Sequence, residues 1–462
     1  MHHDEIKELL QSKQGRKKFG KSILVLQFLV ILSLTVWIVF VEAKTEISYN
    51  INLDTYEGSG RNDFHYGSWP ALENAEFFEV VEKKFRNERA SFVVANLSSL
   101  TLKYYQDGKE VLNIPIQSKG RKGSWWGTPA GIYTIQGKEQ NHFSSFGNVN
   151  MPWSMPFQGN FFIHGWPSYP NGEPVQSSYS GGCIRLATDD SKALFDLVNV
   201  GTPVLVYEND FVSDDFTYSL QQPDLKAPVF LAADLKSNFV FTEKNVDEER
   251  SIASITKLMT ALVAVEHINI EQQITITNTM LVETSVPRLW AGQRVKIYDL
   301  LFPLLTESSN EAAEAITQQY GRERFIEIMN EKAKAIGMKK TTFTDPTGVR
   351  GANMSTAEDL FNLAKYLYIN RSFILEISTG RLESSAYEKP AFTNLQNFNV
   401  FNRYQDFVGG KTGNSSTAKE TIVSIFETEL NGVRRPVALV ILGTNDFEGE
   451  SKYFYDWLRN RY

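Results

Sequence analysis

Two separate groups of residues in this 462-residue chain could carry out nucleophilic catalysis. The first consists of Cys183, the only cysteine, and His164, which precedes it in the chain. A thiol attacks as its thiolate, and a nearby imidazole commonly generates one near neutral pH. Gly181 and Gly182 leave backbone N–H groups unobstructed beside the sulfur, as stabilisation of an oxyanion requires. The pattern predicts a cysteine nucleophile with a histidine base, although a lone cysteine is often only a small buried hydrophobe.

The second group begins with Ser254 and Lys257 at the start of an apolar helix. Positions i and i+3 lie on one face of a helix, so the amine can reach the hydroxyl. Such a lysine acts as a base only when it is neutral, and burial beside another cation lowers its pKa. The spacing alone is weak evidence, because Ser416 and Lys419 repeat it. We reject that second pair because it lies in a strand-like segment with no partner motifs after it.

The elements that would position Cys183 lie in residues 91–209. Short segments rich in β-branched and aromatic residues alternate there with turn signals such as Asp107-Gly108. This pattern predicts a mostly β domain.

The elements that would position Ser254 lie in residues 228–462. Two strand-like segments lead into a helix from Ala253 to His267, and further amphipathic helices follow between 294 and 370. A hairpin signal at Asn431-Gly432 and a helical C-terminal segment complete this half. Strands at both ends with helices between them predict an α+β domain, an antiparallel sheet covered by helices. The fold class is therefore multidomain.

A candidate membrane anchor precedes both halves. Residues 22–41 carry no charge, and a stretch of this length spans a bilayer. Basic residues at 16–21 place the tail, residues 1–21, in the cytoplasm. A cleaved signal peptide is the alternative, but the apolar run exceeds the usual length of about 7–15 residues. We predict a single-pass membrane protein with extracytoplasmic catalytic domains.

The remaining segments and the composition exclude several functions. Residues 44–90 are predicted to form a stem with a helix over Asn74–Arg89, and residues 210–227 form a polar linker. A net charge of −7, with 47 basic and 54 acidic residues, offers no basic field for nucleic acid. The six histidines include no ligand pair on a helix face, so no metal site is expected.

The residues around Cys183 resemble the catalytic signature of the L,D-transpeptidase (YkuD-like) family over about residues 91–209. In that family a histidine is followed some fifteen residues later by Ser/Thr-His-Gly-Cys, an apolar residue and Asn or Arg. This chain has His164-Gly165-Trp166 and then Ser180-Gly181-Gly182-Cys183-Ile184-Arg185.

The resemblance implies that Cys183 attacks the peptide, that His164 is the base, and that the Gly165 carbonyl orients the imidazole. Three further motif positions are candidate substrate-binding residues: Ser180, Gly182 and Arg185. Gly181 replaces the usual histidine, which puts that residue's substrate contact or oxyanion placement in doubt.

Two motifs follow Ser254 in the order known from penicillin-binding proteins and class A β-lactamases: Ser308-Ser309-Asn310 and Lys411-Thr412-Gly413. The surrounding text, including FTDPTGV and GGKTGN, resembles the D-alanyl-D-alanine carboxypeptidase family over about residues 228–462. This resemblance implies an acyl-enzyme on Ser254 with Lys257 as its base. It implies proton transfer and substrate contacts at Ser308 and Asn310, and carboxylate binding by the Lys411-Thr412-Gly413 motif. Backbone N–H groups of Ser254 and Asn414 would bind the oxyanion.

Together the two resemblances imply a bifunctional peptidoglycan enzyme that needs no cofactor. Its substrates would be peptidoglycan stem peptides, and β-lactams would inhibit it. A D,D-carboxypeptidase converts pentapeptides into tetrapeptides, which L,D-transpeptidases use as acyl donors, so the two sites would act in series. The alternatives are that the serine half is a D,D-endopeptidase or a β-lactamase-like hydrolase, or that one half is a degenerate cell-wall-binding module.

Overall fold

The structure is a computed structural model that describes residues 75–122, 126–208, 222–382 and 391–462, apart from the side chains of residues 75–80. These residues belong to one compact unit that begins at Asn62. The predicted cytoplasmic tail, membrane anchor, most of the stem and most of the linker lie outside the described residues. Within the described ranges, no helix has the length and apolar character that a membrane span requires.

The first half is mostly β, as predicted. Its strands form a five-stranded sheet in the order β3-β2-β1-β9-β4 and a four-stranded sheet in the order β5-β6-β7-β8. The strands are β1 (Phe92–Asn96), β2 (Thr101–Gln106), β3 (Lys109–Pro115), β4 (Gly131–Thr134), β5 (Glu139–Ser144), β6 (Val149–Gln158), β7 (Phe161–His164), β8 (Ile184–Arg185) and β9 (Pro203–Tyr207). The pairs β1–β9 and β7–β8 are parallel. His164 is the last residue of β7, and Cys183 immediately precedes β8. Because His164 lies opposite Arg185 in this parallel pair, Cys183 is level with Phe162, two residues before His164 along β7.

Two helices flank these sheets. The predicted stem helix is confirmed as α1 (Ala75–Asn87), but it packs against the five-stranded sheet. Phe85 is fully buried there, with its ring centroid 5.1 Å from that of Phe92. Helix α2 (Thr188–Leu197) follows β8 and packs on β6.

The second half is an antiparallel sheet covered by helices, as predicted. The strand order is β11-β10-β18-β17-β16. The strands of this sheet are β10 (Val229–Asp234), β11 (Val240–Lys244), β16 (Phe407–Ser415), β17 (Lys419–Leu430) and β18 (Val433–Thr444). Two further sheets have two strands each. One pairs β12 (Arg250–Ser251) with β15 (Met354–Ser355), and the other pairs β13 (Gln273–Thr275) with β14 (Arg294–Lys296). The helices are α3 (Thr256–His267), α4 (Ile297–Thr306), α5 (Asn310–Tyr320), α6 (Arg322–Ala335), α7 (Ala357–Asn370), α8 (Ser372–Ser378) and α9 (Phe447–Arg461).

Alternation along the strands explains why helices cover both faces of this sheet. Leu231 and Ala233 of β10 face the core formed by α3, α4 and α7, whereas Phe230 and Ala232 face α9. Successive side chains on a strand point to opposite faces, so both sets must be apolar in a buried sheet. Helix α3 is therefore surrounded by protein and is buried along nearly its whole length.

The predicted hairpin is confirmed. β17 ends at Leu430 and β18 begins at Val433, and Asn431 and Gly432 both have positive φ values, 48° and 75°. That conformation is the one that favours Asn-Gly in two-residue hairpins. The rejected Ser416–Lys419 string lies at the turn between β16 and β17, so it has no helix to bring its lysine under its serine.

Replacement of Phe85 by alanine tests whether α1 belongs to the fold of the first half. We expect Phe85→Ala to lower its free energy of unfolding by about 3–5 kcal/mol, because a large buried ring is lost. Denaturant unfolding of the purified protein measures this change. Lys83→Ala, at an exposed position of the same helix, is the control and should change stability by less than about 0.5 kcal/mol. Equally small changes in the free energy of unfolding for both variants would show that α1 does not contribute to the stability of the first half.

Two candidate active sites

The first candidate site is built around Cys183, which is 8% exposed, and His164, which is 1% exposed. His164 Nδ1 lies 2.6 Å from the carbonyl oxygen of Gly165, the contact that the sequence resemblance implies. This hydrogen bond places the proton on Nδ1 and leaves Nε2 as the free basic nitrogen. The ring therefore has the tautomer that a general base requires.

Burial sets the resting protonation of both groups. It raises the pKa of the Cys183 thiol to about 11, although the Phe162 backbone N–H and the charge of Arg185 act in the opposite direction. It lowers the pKa of the His164 imidazole to about 4, against the effect of the Gly165 hydrogen bond. Both groups are neutral at neutral pH, so the thiol proton must move as the sulfur attacks.

The turn between β6 and β7 forms one side of the thiol's surroundings. The Cys183 sulfur lies 3.9 Å from the carbonyl oxygen of Asn160, and the backbone N–H of Phe162 interacts with it. Sequence reasoning missed both residues. The turn itself could be predicted from Gly159-Asn160 between two strands, but its contact with a thiol more than twenty residues later has no local signal.

The loop before Cys183 is held by its own hydrogen bonds. Ser180 Oγ donates to the Cys183 carbonyl oxygen at 2.5 Å and accepts from the Gly182 N–H at 3.1 Å. Gly182 has a φ of 106°, and a Cβ there would lie 2.2 Å from a ring carbon of Phe161. Glycine is therefore required at this position. The Gly182 N–H and the Ser180 hydroxyl are occupied within the loop, and their predicted substrate contacts stay predictions.

Gly181 and Arg185 both line the cavity beside Cys183, but they differ in exposure and in their contacts. Gly181 is exposed, and a Cβ there would have no heavy atom within 4 Å, so the usual motif histidine would fit. Arg185 is 8% exposed, donates to the Ser177 carbonyl oxygen at 3.0 Å and lies over the Trp166 ring. Its buried Nε has no hydrogen-bond partner among the described residues. The predicted contact of Arg185 with a substrate stays a prediction.

A cavity of about 460 Å³ opens over these residues. Its lining includes Cys183, His164 and Arg185 from the first half. The lining also includes Val265, Ile268 and Asn269 of the second half, a contribution that the sequence analysis does not predict. A volume of this order suits a peptide-sized ligand.

The second candidate site lies where α3 begins. Ser254 is in a short 3₁₀ turn, Ala253–Ile255, directly before α3, and Lys257 is in the first turn of that helix. Lys257 Nζ lies 3.0 Å from Ser254 Oγ and donates to the Thr347 carbonyl oxygen at 2.7 Å. The i, i+3 spacing thus produces the contact expected from the sequence.

The electrostatics favour a neutral Lys257. Burial lowers its pKa well below the ordinary lysine value, and the charge of Lys411 lowers it further, whereas Asp345 acts in the opposite direction. Burial also lowers the pKa of Lys411 to about 7. A neutral amine next to a hydroxyl can accept its proton, which is the arrangement that activates a serine.

A loop that sequence reasoning left without a role holds Lys257 in place. Asp345 Oδ1 accepts hydrogen bonds from the Thr347 hydroxyl, the Thr347 N–H and the Gly348 N–H, at 2.6–2.8 Å. Asn353 Nδ2 ties the loop to Thr256 Oγ1 at 2.9 Å. The loop therefore presents the Thr347 carbonyl to the amine. The residue types of Asp345 to Gly348 predict a turn, but not this contact.

The motif of Ser308 and Asn310 lies at the start of α5, which packs against α3. Asn310 Nδ2 donates to the Glu283 carbonyl oxygen at 2.8 Å. The buried Ser308 Oγ and Asn310 Oδ1 have no hydrogen-bond partner within the part of the chain that the structure describes. Buried polar atoms normally have partners, so these two atoms are exceptions, and their contacts with a substrate stay predictions.

The Lys411-Thr412-Gly413 motif and Asn414 lie on the edge strand β16. A Cβ on Gly413 would be 2.9 Å from the Ser254 nitrogen, so the strand passes directly beside the nucleophile. Lys411 is 2% exposed and donates to the Thr412 carbonyl oxygen at 2.9 Å. The side chain of Asn414 is exposed. The structure thus brings Ser254, Lys257 and the β16 motif together, while the roles of these residues in catalysis stay predictions.

Comparisons with known proteins confirm both resemblances. A model of the D-alanyl-D-alanine carboxypeptidase family matches residues 217–446, and a model of the L,D-transpeptidase catalytic domain matches residues 90–206. A D-alanyl-D-alanine endopeptidase of Escherichia coli (strain K12) is 32% identical over 250 residues, covering 52% of this chain and 77% of the relative. One of Pseudomonas aeruginosa is 33% identical with the same coverage.

A solved structure of penicillin-binding protein D2 from Listeria monocytogenes, in its ampicillin-bound form, has a TM-score of 0.44 and 24% identity. The match covers 52% of this chain and 99% of that one. On the family models and the sequence relatives, the chain belongs to the D-alanyl-D-alanine carboxypeptidase family and carries an L,D-transpeptidase catalytic domain ahead of that region.

Proposed function

We propose that the chain is a bifunctional peptidoglycan-modifying enzyme with a serine D,D-carboxypeptidase site and a cysteine L,D-transpeptidase site. The observation that supports it most directly is the 3.0 Å contact between Ser254 Oγ and the amine of Lys257, whose pKa is lowered by burial. The neutral imidazole of His164 beside the thiol loop supports the second activity. We also propose that residues 22–41 anchor both sites on the outer side of a membrane.

In the serine reaction, Ser254 Oγ attacks the carbonyl carbon of the penultimate D-Ala while Lys257 takes the hydroxyl proton. Backbone N–H groups of Ser254 and Asn414 stabilise the oxyanion, and Lys411 attracts the terminal carboxylate. The C–N bond breaks, and the departing D-Ala takes a proton. Water then releases a tetrapeptide from the acyl-enzyme.

In the cysteine reaction, the Cys183 sulfur attacks the carbonyl that precedes the terminal D-Ala of a tetrapeptide, and its proton passes to His164 Nε2. D-Ala leaves with that proton, and a thioester remains on the sulfur. An amine of a second stem then attacks the thioester, loses its proton to His164 and restores the thiol. The serine product is thus the donor of the cysteine reaction, and the two sites act in series.

A D,D-endopeptidase activity of the serine site is the second candidate. It is favoured because the E. coli and P. aeruginosa relatives are named D-alanyl-D-alanine endopeptidases. Purified crosslinked dimers distinguish the two activities: an endopeptidase converts them into monomers, whereas a carboxypeptidase only removes terminal D-Ala from pentapeptides.

Single replacements of the two nucleophiles test the assignment. We expect Ser254→Ala to abolish labelling by a fluorescent penicillin and to leave a carbapenem adduct on Cys183. Cys183→Ala should abolish the carbapenem adduct at position 183 and leave penicillin labelling of Ser254 unchanged, because each nucleophile forms its own acyl-enzyme. Mass spectrometry of the intact protein measures both adducts, and each variant is the control for the other. Wild-type protein that forms no adduct on one nucleophile would identify that half as a binding module.

Muropeptide profiles of cells that carry these variants test the serial order. We expect Ser254→Ala to raise the fraction of pentapeptides and to lower L,D-crosslinks, since the donor tetrapeptide is no longer made. Cys183→Ala should lower L,D-crosslinks and leave the pentapeptide fraction unchanged. Unchanged pentapeptides in the Ser254→Ala strain would rule out the series.

The pH dependence of Ser254 acylation follows from the two buried lysines. Acylation needs neutral Lys257, so its rate falls as pH drops through the lowered pKa of that amine. It also needs cationic Lys411, whose pKa is about 7 in the empty site, so the rate falls again as pH rises through about 7. Second-order rate constants of penicillin acylation against pH measure both limbs.

Lys411→Arg is the matched variant for the alkaline limb. Arginine stays charged throughout this range, so we expect the decline above neutral pH to disappear while the acid limb is kept. An alkaline limb that is the same in both proteins would exclude Lys411 as its source.

A further inference from the structure

One turn contacts both the Cys183 thiol and the second half of the chain. Its Asn160 carbonyl faces the sulfur, while the Asn160 N–H donates to the Glu266 carbonyl oxygen at 3.1 Å. A Cβ on Gly159 would lie 2.4 Å from that same oxygen. Gln158 Nε2 donates to Glu266 Oε2 at 3.1 Å. The turn is thus pressed against the C-terminal end of α3.

The Glu266 side chain is the centre of a buried cluster of charges. It is fully buried, and its carboxylate oxygens lie 2.8 Å from Lys332 Nζ and 2.8 Å from Arg371 Nη2, both of which are also fully buried. Tyr366 donates its hydroxyl to Glu266 Oε1 at 2.6 Å. Burial by itself would raise the pKa of Glu266, but the two cations lower it to about 2.

The cations of this cluster reach into the first half. Lys332 Nζ donates to the Tyr133 hydroxyl at 3.2 Å, and Arg371 Nη1 donates to the Gly127 carbonyl oxygen at 3.0 Å. The Arg371 guanidinium also lies over the ring of Phe161, the first residue after the turn. Removing one partner of a buried charge pair leaves an uncompensated charge, so the loss of Glu266 would disturb the two cations and their hydrogen bonds to the first half.

Phe161 connects the cluster to the nucleophile loop. Its ring packs against Gly182, and its strand β7 ends at His164. The last turn of α3 and the residues after it also line the Cys183 cavity through Val265, Ile268 and Asn269. Groups from the second half therefore support the thiol loop, the base and one wall of the cavity.

We propose that the second half completes the Cys183 site, with Glu266 as a positioning residue that acts through the turn at Gly159-Asn160. Glu266 contacts neither the sulfur nor the base. It fixes the turn whose backbone faces the thiol, and so it sets the geometry in which His164 and Cys183 exchange a proton. The effect of Glu266 on catalysis rests on the proposed transpeptidase activity. Its effect on the position of the thiol can be measured even if that activity is absent.

Glu266→Gln in the full-length chain tests the proposal, because it removes the charge and preserves the shape. Two rates are measured at Cys183: acylation by a carbapenem, which needs the aligned site, and alkylation by iodoacetamide, which needs an accessible thiolate but no aligned acylation site. Since Cys183 is the only cysteine, all thiol labelling reports on it. Penicillin labelling of Ser254 counts folded molecules, and both rates are expressed per labelled molecule.

We expect carbapenem acylation to fall by at least about tenfold, because small misplacements of reacting groups cost rates of this order. Iodoacetamide alkylation should become faster. The turn keeps Cys183 only 8% exposed, and displacement of the turn would expose the thiol. A second replacement, Lys332→Met in the Glu266→Gln background, returns the net charge of the cluster to its wild-type value but removes the Lys332–Tyr133 hydrogen bond, so we expect only partial recovery of the acylation rate. A general loss of stability would lower the number of penicillin-labelled molecules without changing either rate per labelled molecule.

Asp234→Asn is the matched control. Asp234 is a buried carboxylate that pairs with Arg435 at 3.0 Å, and its hydrogen-bond partners lie in the second half. It should leave both Cys183 rates unchanged. Gly159→Ala disturbs the same contact from the first half, since its Cβ would meet the Glu266 carbonyl, and it should reproduce the Glu266→Gln result even if Glu266→Gln folds poorly.

Rates at Cys183 that are equal in the wild type, Glu266→Gln and Gly159→Ala would overturn the proposal while leaving the transpeptidase assignment intact. Failure of the proposed transpeptidase reaction can also be distinguished from failure of the positioning role. A wild type that a carbapenem does not acylate, combined with faster alkylation in both variants, would support the positioning role and reject the proposed reaction.

Discussion

Glu266 is a fully buried carboxylate between two fully buried cations at the place where the catalytic halves meet. Desolvating charges in such a position costs free energy, and removing one partner leaves an uncompensated buried charge that destabilises the fold. The partners of Glu266, which lies on α3, come from α6, α7 and the residue before α8, and the cations extend to Tyr133 and Gly127 of the first half. The cluster therefore links the two halves by hydrogen bonds, and residues of both halves line the Cys183 cavity.

Much of each candidate site could be predicted because its signals are local. Ser254 and Lys257 lie one helical turn apart, so their spacing alone produced the observed contact. His164 precedes its orienting Gly165 carbonyl directly in sequence, and that contact is also present. The Asn431-Gly432 turn, the strands of both sheets and the long helices follow from residue types and periodicity within a few positions. Family motifs extended these local signals to Lys411 and Arg185.

The features that could not be predicted depend on contacts between distant parts of the chain. Thr347 lies 90 residues from the lysine that it holds, and Asn160 meets its thiol only after the sheet has formed. The occupied Gly182 N–H results from a φ of 106° and from a serine that folds back on its own loop. Glu266, near the end of an apolar helix, has an ordinary appearance in sequence because charged residues often end helices. Nothing near it in the chain reveals the cations that surround it.

Helix α3 has Lys257 in its first turn and Glu266 in its last. At a rise of 1.5 Å per residue, these two side chains are about 14 Å apart along one rigid rod. An insertion or deletion inside this rod would rotate Glu266 out of its cluster by about 100° per residue, even if Lys257 kept its place. Recombination that exchanged the serine half for that of another protein would replace Glu266, Lys332 and Arg371 together, and with them the hydrogen bonds to Tyr133 and Gly127 of the first half. The helix thus links the geometries of the two candidate sites through a single rigid element.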